Sequence, residues 1–413
     1  MQKIGVFTIA SKNYLAYVRV LMESITSVHP EYERFLCLAD KTDGMIDSAT
    51  EGYQIVEADR LDIPDFEDMT LRYDIMEFNT AVKPFMIQWL FQHTELDAVI
   101  YLDPDIRVFS RFDRLEKLLE NGASVVLTPH ITSPVEDGLV PNDHQMLQAG
   151  VFNLGFVAMR RSEESIKYSQ WWGRRLTTMC VSDVANGLFT DQKWCDLAPC
   201  FLDNLSVLKD PGYNVAYWNL FQREIKRSDE GQWIVNGAPL VFFHFSGVNV
   251  DKPTTVSKHQ NRLVWEDIKH FSGLFESYFA SLLQYGWHQT KLFPYAYSKT
   301  KDGIFMSGIL RKFYRLMHPS SKRPMSKESG HELVLESNRI SEHFGRDGPL
   351  SNLMVLIHQT RQDLQVAFNL STAEGRLGFY NWFVCSAERE YGLSKEFMPV
   401  YDGAFQDSTV KKK

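Results

Sequence analysis

Ile4 to Ala10 is an apolar run broken only by Gly5 and Thr8, which predicts a buried strand. Tyr14 to Ser27 follows with Leu15, Val18, Met22 and Ile25 at helical spacing, and Phe35 to Ala39 gives a second strand that ends at Asp40. This βαβ opening predicts a parallel, doubly wound sheet whose ligands bind beyond the carboxyl ends of its strands. Pro84 to Phe91 is a short helix with proline at its start, leading into a β-branched and aromatic strand, Ala98 to Leu102. Ser124 to Thr128, Phe152 to Met159 and Val241 to Phe245 are further strands that complete the core. Between them, Pro129 to Gly150 is a long irregular segment of a length usually reserved for lids and binding loops.

Past residue 260 the pattern turns helical and aromatic, with Trp265, Phe271, Phe275, Tyr278 and Phe279. His318 to Glu328 is basic and rich in Ser and Pro, so it reads as an exposed linker. Leu350 to Phe368 is helical, and Ser371-Thr372-Ala373-Glu374 has the form of a capping box opening a helix that stops before Gly392. The expected organisation is an α/β domain over 1–258, a helical extension over 259–318, a linker over 319–335 and a helical domain over 336–413. The segment from Ile304 to Arg315 is basic and apolar. Its pattern is that of a packed amphipathic helix, with an anionic membrane surface as the other reading.

The net charge of −8 disfavours general affinity for nucleic acid, and 44% hydrophobic residues are ample for a large core. Five cysteines, at 37, 180, 195, 200 and 385, show no paired zinc spacing and read as free thiols in a reducing compartment. The amino-terminal residues lack the features of a signal peptide and no apolar stretch reaches bilayer length, so the expected location is the cytoplasm, at most peripheral to a membrane.

The chemistry concentrates where Ala98-Val99-Ile100-Tyr101-Leu102 runs into Asp103-Pro104-Asp105. With a side-chain period of two, both carboxylates emerge on one side, and Pro104 stiffens the backbone between them. Paired carboxylates suit Mg²⁺ or Mn²⁺, which neutralises the phosphates of a nucleotide. An Asp-Pro-Asp at a strand end is also an ordinary solvated turn, so the pair gains meaning from what accompanies it.

Five further segments follow the same order: Lys83-Pro84; Phe152-Asn153-Leu154-Gly155; Thr190-Asp191-Gln192; Gly212-Tyr213-Asn214-Val215; and Phe243-His244-Phe245-Ser246-Gly247 with Lys252-Pro253. Together with the Asp pair, the series resembles the GT-A fold glycosyltransferases, most closely glycosyltransferase family 8, over about residues 1 to 255. The resemblance implies a Rossmann-like, mostly parallel α/β catalytic domain, here with an appended helical carboxyl-terminal region. It implies a cation held by Asp103, Asp105 and His244, Mn²⁺ in preference to Mg²⁺ because imidazole is the softer ligand. It further implies a donor site formed by Thr8, Ala10, Asp40, Lys83, Asp103, Asp105, Asn153, Gly155, Gly247 and Lys252, with Asp191 and Gln192 beside the sugar as the catalytic pair. Lys83 stands where the family usually has arginine. Ser11-Lys12 stands where it usually has an acid, which leaves Asp40 as the substitute for reading the base.

The activity implied is transfer of a sugar from a nucleoside diphosphate donor, UDP-sugar by expectation, to a glycan or lipid-linked acceptor with retention of configuration, as in bacterial surface polysaccharide synthesis. The partners implied are these two substrates and, through the carboxyl-terminal helices, a second copy of the chain. Two alternatives stand beside it. One is an inverting transferase with Asp191, Glu136 or Asp137 as base. The other is a carbohydrate-binding protein that keeps the fold without the chemistry.

Overall fold

The computed structural model describes residues 2–319, 329–342 and 350–398. They form two compact units: residues up to Pro64 together with Ile75–Tyr295, and residues 65–74 together with the described residues from 296 onward.

The first unit is a mixed α/β fold. Its strands include β1 (Ile4–Ala10), β2 (Glu33–Leu38), β3 (Gln54–Glu57), β4 (Ala98–Leu102), β5 (Ile106–Val108), β6 (Val125–Pro129), β7 (Phe152–Arg160), β8 (Leu205–Val207) and β9 (Phe242–His244). Seven of them make one sheet in the order β8-β6-β7-β4-β1-β2-β3. Strands β4, β1, β2 and β3 run parallel, as do β6 and β8. Strand β7 runs antiparallel to both of its neighbours, β4 and β6. Every residue of β1 and β4 is buried, the mark of strands covered on both faces, which is why their sequences run apolar without alternation.

The expected core strand from Val241 to Phe245 lies outside this sheet. Its residues 242–244 pair antiparallel with β5 as a separate ribbon, with His244 opposite Ile106. Helix α1 (Leu15–Val28) buries Ala16 and Val20 against Phe243 and Phe245 of that ribbon. Phe245 stacks on Tyr278, with ring centroids 3.8 Å apart, so the helix Gly273–Gln284 belongs to the same core. Helix α2 (Ile75–Ala81) leads into α3 (Lys83–His93), where Pro84 sits in the first turn as its missing N–H allows. Helix α3 packs on α4 (Glu163–Met179). The long segment from Pro129 to Gly150 contains a helix of its own, Asp143–Ala149, capped by Asn142.

In the second unit, α5 (Gly308–Met317) buries Ile309, Leu310, Phe313 and Tyr314 among Leu353, Met354, Ile357, Phe379 and Phe383. The apolar face read from the sequence is therefore taken up by packing, and the membrane-surface reading loses it. Arg311 on this helix is 4% exposed and donates to the carbonyls of Thr70, Met306 and Tyr297, which anchors the short helix Phe66–Arg72 inside the second unit.

The expected helix over Leu350 to Phe368 is two, Asn352–Thr360 and Gln362–Ala367, broken at Arg361. The last long helix, Ala373–Tyr391, is capped by the Thr372 hydroxyl on Gly375 N–H and ends at left-handed Gly392; the N-cap is Thr372 rather than the expected Ser371, and with glycine at the third helical position the expected box does not form. Most of the expected linker, 320–328, and Lys411 to Lys413 lie outside the described residues, while 329–338 are helical. None of the five cysteines is joined in a disulfide; Cys37, Cys180 and Cys195 are buried, Cys200 and Cys385 exposed. Among the described residues no helix is long and apolar enough to cross a membrane.

Candidate active site

The Asp pair, His244 and the start of β7 meet because of two backbone registers. Since β7 runs against β4, its first residues lie at the carboxyl edge of the parallel strands, and Asp103 N–H donates to Gly155 O at 2.8 Å. In the β5–β9 ribbon, Phe245 N–H donates to Asp105 O at 2.9 Å, which draws His244 alongside. His244 Nε2 then lies 3.0 Å from Asp105 Oδ1 and 3.6 Å from Asp103 Oδ2. One ligand atom from each of Asp103, Asp105 and His244 falls within 4.8 Å of the others.

Two carboxylate oxygens and one imidazole nitrogen, converging at that spacing, fit a divalent cation of the Mn²⁺ or Mg²⁺ type. Burial pushes the Asp103 pKa up, and Lys83 and His244 only partly oppose it. Burial alone pushes His244 down, but the adjoining Asp105 and Asp103 carboxylates reverse this and leave its pKa raised.

Gly155 is required here. A Cβ at this position would lie 2.4 Å from His244 Cε1 and 2.8 Å from Asn153 Oδ1. Gly155→Ala is therefore expected to push the His244 ring off the carboxylates and weaken Mn²⁺ binding by at least 10-fold, the scale of a lost orienting contact. A titration with unchanged affinity, in a variant that folds normally, counts against this placement of the ring.

A second cluster adjoins the first. Lys83, 1% exposed, donates to Leu154 O at 2.7 Å and to Asp191 Oδ2 at 2.5 Å, and its ammonium sits 4.1 Å from the centre of the Tyr101 ring. The Tyr101 hydroxyl in turn donates to Asp103 Oδ1. Lys83 thus spends its charge on Asp191 and the aromatic face. Asp191 is equally enclosed: Thr190 donates to its Oδ1 at 3.2 Å, and Trp172 Nε1 holds its backbone carbonyl at 3.1 Å.

Asn153 and Gln192 join a third set. Gln192 Oε1 accepts from Leu154 N–H at 3.0 Å, and its Nε2 donates to Ala149 O at 2.9 Å. Asn153 Nδ2 donates toward His130 Nε2 at 3.2 Å. Burial drives the His130 pKa down to about 4, so this ring is neutral and accepts.

Beside the Asp pair opens a cleft of about 240 Å³, lined by Ala10, Tyr14, Met76 and Asn79 among others, with Asp103 and Asp105 at its margin. Thr8 lies one turn of the pleat below, fully buried, its hydroxyl without a partner. Asp40 does not line the cleft. It is buried, accepts from the backbone N–H groups of Lys12 and Lys41, and pairs with Lys12 Nζ at 3.4 Å. Lys12, where an acid was expected, is itself 0% exposed and turned toward Asp40 and Asp43. Gly247 has φ +76°, and a Cβ there would meet Ser257 Oγ at 2.4 Å, so its freedom serves the loop itself. Lys252 is exposed on that loop. Of the lid acids, Asp137 is held by Arg262 at 2.5 and 3.0 Å and Glu136 is exposed.

Sequence reasoning missed Tyr101 and understated Asn214. Tyr101 was accessible in principle, since it lies two residues before Asp103 on the same side of the strand. Asn214 stands in the Gly212–Val215 segment with no role assigned to it, whereas its amide reaches Thr128, Asn153 and His244.

No family model matches the chain. Two uncharacterised proteins of Bacillus subtilis (strain 168) are similar to it: YfnF, 25% identical over 255 residues, which are 59% of this chain and 81% of that protein; and YfnD, 25% identical over 254 residues, 59% of this chain and 77% of that protein. Among solved structures, the galactosyltransferase LgtC in complex with donor and acceptor sugar analogues has a TM-score of 0.41 at 16% identity, covering 67% of this chain and 95% of that one. The glycosyltransferase GlyE of Streptococcus pneumoniae TIGR4 has a TM-score of 0.38 at 15% identity, covering 71% of this chain and 66% of that one. Mouse xyloside xylosyltransferase 1 has a TM-score of 0.36 at 14% identity, covering 59% and 97%.

Proposed function

We propose that this protein is a cation-dependent glycosyltransferase that takes a sugar from a UDP-sugar donor and passes it, with retention, to a glycan or lipid-linked acceptor of surface polysaccharide synthesis. The convergence of Asp103, Asp105 and His244 at the carboxyl edge of the sheet, next to an open cleft, carries the reading. When bound there, a divalent cation neutralises the charge that develops on a diphosphate leaving group.

The chain's own residues supply the rest. The cleft takes the nucleotide, with Tyr14, 43% exposed, offering an aromatic face at its wall. Asp191, paired with Lys83, places its carboxylate where the sugar ring becomes cationic. Asn153 and Gln192 fix the Leu154 backbone between these groups. Both Asp191 oxygens already carry donors, from Lys83 and Thr190, which supports retention over the inverting alternative with Asp191 as base. Asp137, bound by Arg262, is likewise poorly free to take a proton.

Calorimetry tests the donor half: UDP is expected to bind more tightly with Mn²⁺ than with EDTA, and equal affinity in both would overturn the reading. Proton NMR tests the chemistry. An α-linked donor is expected to give an α-linked product, while a β-linked product reassigns the enzyme to the inverting class. Nucleotide binding with neither transfer nor donor hydrolysis, across a panel of acceptors, would favour a non-catalytic binding protein.

A further inference from the structure

A histidine that binds a cation through Nε2 must carry its remaining proton on Nδ1, and that proton needs an acceptor. In this protein the atom facing His244 Nδ1 is Asn214 Oδ1, at 3.4 Å. The amide's orientation is set by a chain of bonds that ends on the backbone. Gly155 N–H, which can only donate, gives its hydrogen to Asn153 Oδ1 at 3.2 Å. That oxygen also accepts from Asn214 Nδ2 at 3.0 Å, and Asn214 Nδ2 donates again to Thr128 Oγ1 at 2.8 Å. With both amide hydrogens committed, Asn214 has only its oxygen to offer His244.

The backbone supports the same assignment. Asn214 is 1% exposed and holds φ +50°, a left-handed conformation that Asn tolerates better than other side chains apart from Gly. Its N–H neighbour Val215 pairs with Phe242 O at 3.2 Å, which ties this loop to the ribbon carrying His244. In the cation-free protein Asp105 Oδ1, 3.0 Å from Nε2, competes for a proton on that nitrogen. A cation takes the place of that proton.

We propose that Asn214 is a positioning residue of the cation site: by accepting from Nδ1–H it leaves the His244 Nε2 lone pair free for the metal. This rests on the cation site proposed above. The chain Gly155–Asn153–Asn214–His244 transmits a fixed backbone donor to the metal-facing nitrogen, and so couples the donor-sugar segment to the cation.

The test is Mn²⁺ titration, alone and with UDP, followed by the free-ion paramagnetic resonance signal, on the full-length protein. Asn214→Gly keeps the left-handed backbone and removes the amide; it is expected to weaken Mn²⁺ binding about 10- to 100-fold. Asn214→Asp loses both donor bonds but keeps an acceptor for Nδ1–H, so its Mn²⁺ affinity is expected to stay near that of the unaltered protein. A structural role alone would make Asn214→Asp as damaging as Asn214→Gly; that result overturns the inference while leaving the cation site standing. An Asn214→Gly protein with unchanged Mn²⁺ affinity overturns it as well. An unaltered protein that binds no Mn²⁺ overturns the cation site and this inference with it.

Discussion

Asp103→Ala and His244→Ala are each expected to abolish the Mn²⁺ dependence of UDP binding and to slow transfer by about 10³-fold, or about 4 kcal/mol of transition-state stabilisation. The argument is geometric. Each residue supplies one of three ligand atoms that lie within 4.8 Å of one another, and two ligands do not hold a hard divalent cation against water as three do. Because the His244 pKa is raised, its ring keeps a proton to higher pH than free imidazole does. A proton and a cation compete for that nitrogen, so Mn²⁺ affinity is expected to rise as pH increases through the His244 pKa, and the His244→Ala protein is expected to lose that part of the pH dependence. Full activity of Asp103→Ala in EDTA would remove the cation from the mechanism.

Lys83→Met is expected to destabilise the first unit by about 3–5 kcal/mol, the cost of leaving one member of a buried ion pair alone. Lys83 is 1% exposed and Asp191 is 2% exposed, so removal of the ammonium strands a carboxylate that water does not reach, and Leu154 O loses its donor too. Lys83→Met combined with Asp191→Leu is expected to recover much of the loss, since replacing both charges removes the stranded one. Denaturant unfolding reads this directly. A Lys83→Met protein as stable as the original would mean that Asp191 finds another partner, and Lys83 would then be free to serve a ligand. Loss of activity in this variant has to be read beside its stability, because Lys83 acts on Asp191 and on the Tyr101 face rather than from the surface.

The elements were legible where one physical signal dominated. Strands β1 and β4 announce themselves by unbroken burial on both faces, and α1 by its periodic Leu15, Val18, Met22 and Ile25. Helix ends were harder. Arg361 breaks what reads as one helix from Leu350 to Phe368, with no proline or glycine to mark the place. The cap falls on Thr372 rather than Ser371, and the sequence does not separate them because both carry a hydroxyl able to accept from the first turn.

Within the site, the sequence by itself determined the chemistry: two carboxylates one residue apart at a strand end, one histidine among phenylalanines, and a glycine that leaves room for it. What only the tertiary structure decided is how these parts meet. Strand β7 had to run against its neighbours for Asn153 and Gly155 to start at the carboxyl edge; a parallel β7 would carry them to the opposite end of the sheet. The segment around His244 had to leave the main sheet and pair with β5, so that His244 lies opposite Ile106 and next to Asp105. Strand direction and pairing partner depend on connections and contacts far apart in the chain, while hydrophobic pattern records only which residues are buried. The same reason explains Lys83 and Lys12: each is buried against a carboxylate, Asp191 or Asp40, that no local pattern connects to it.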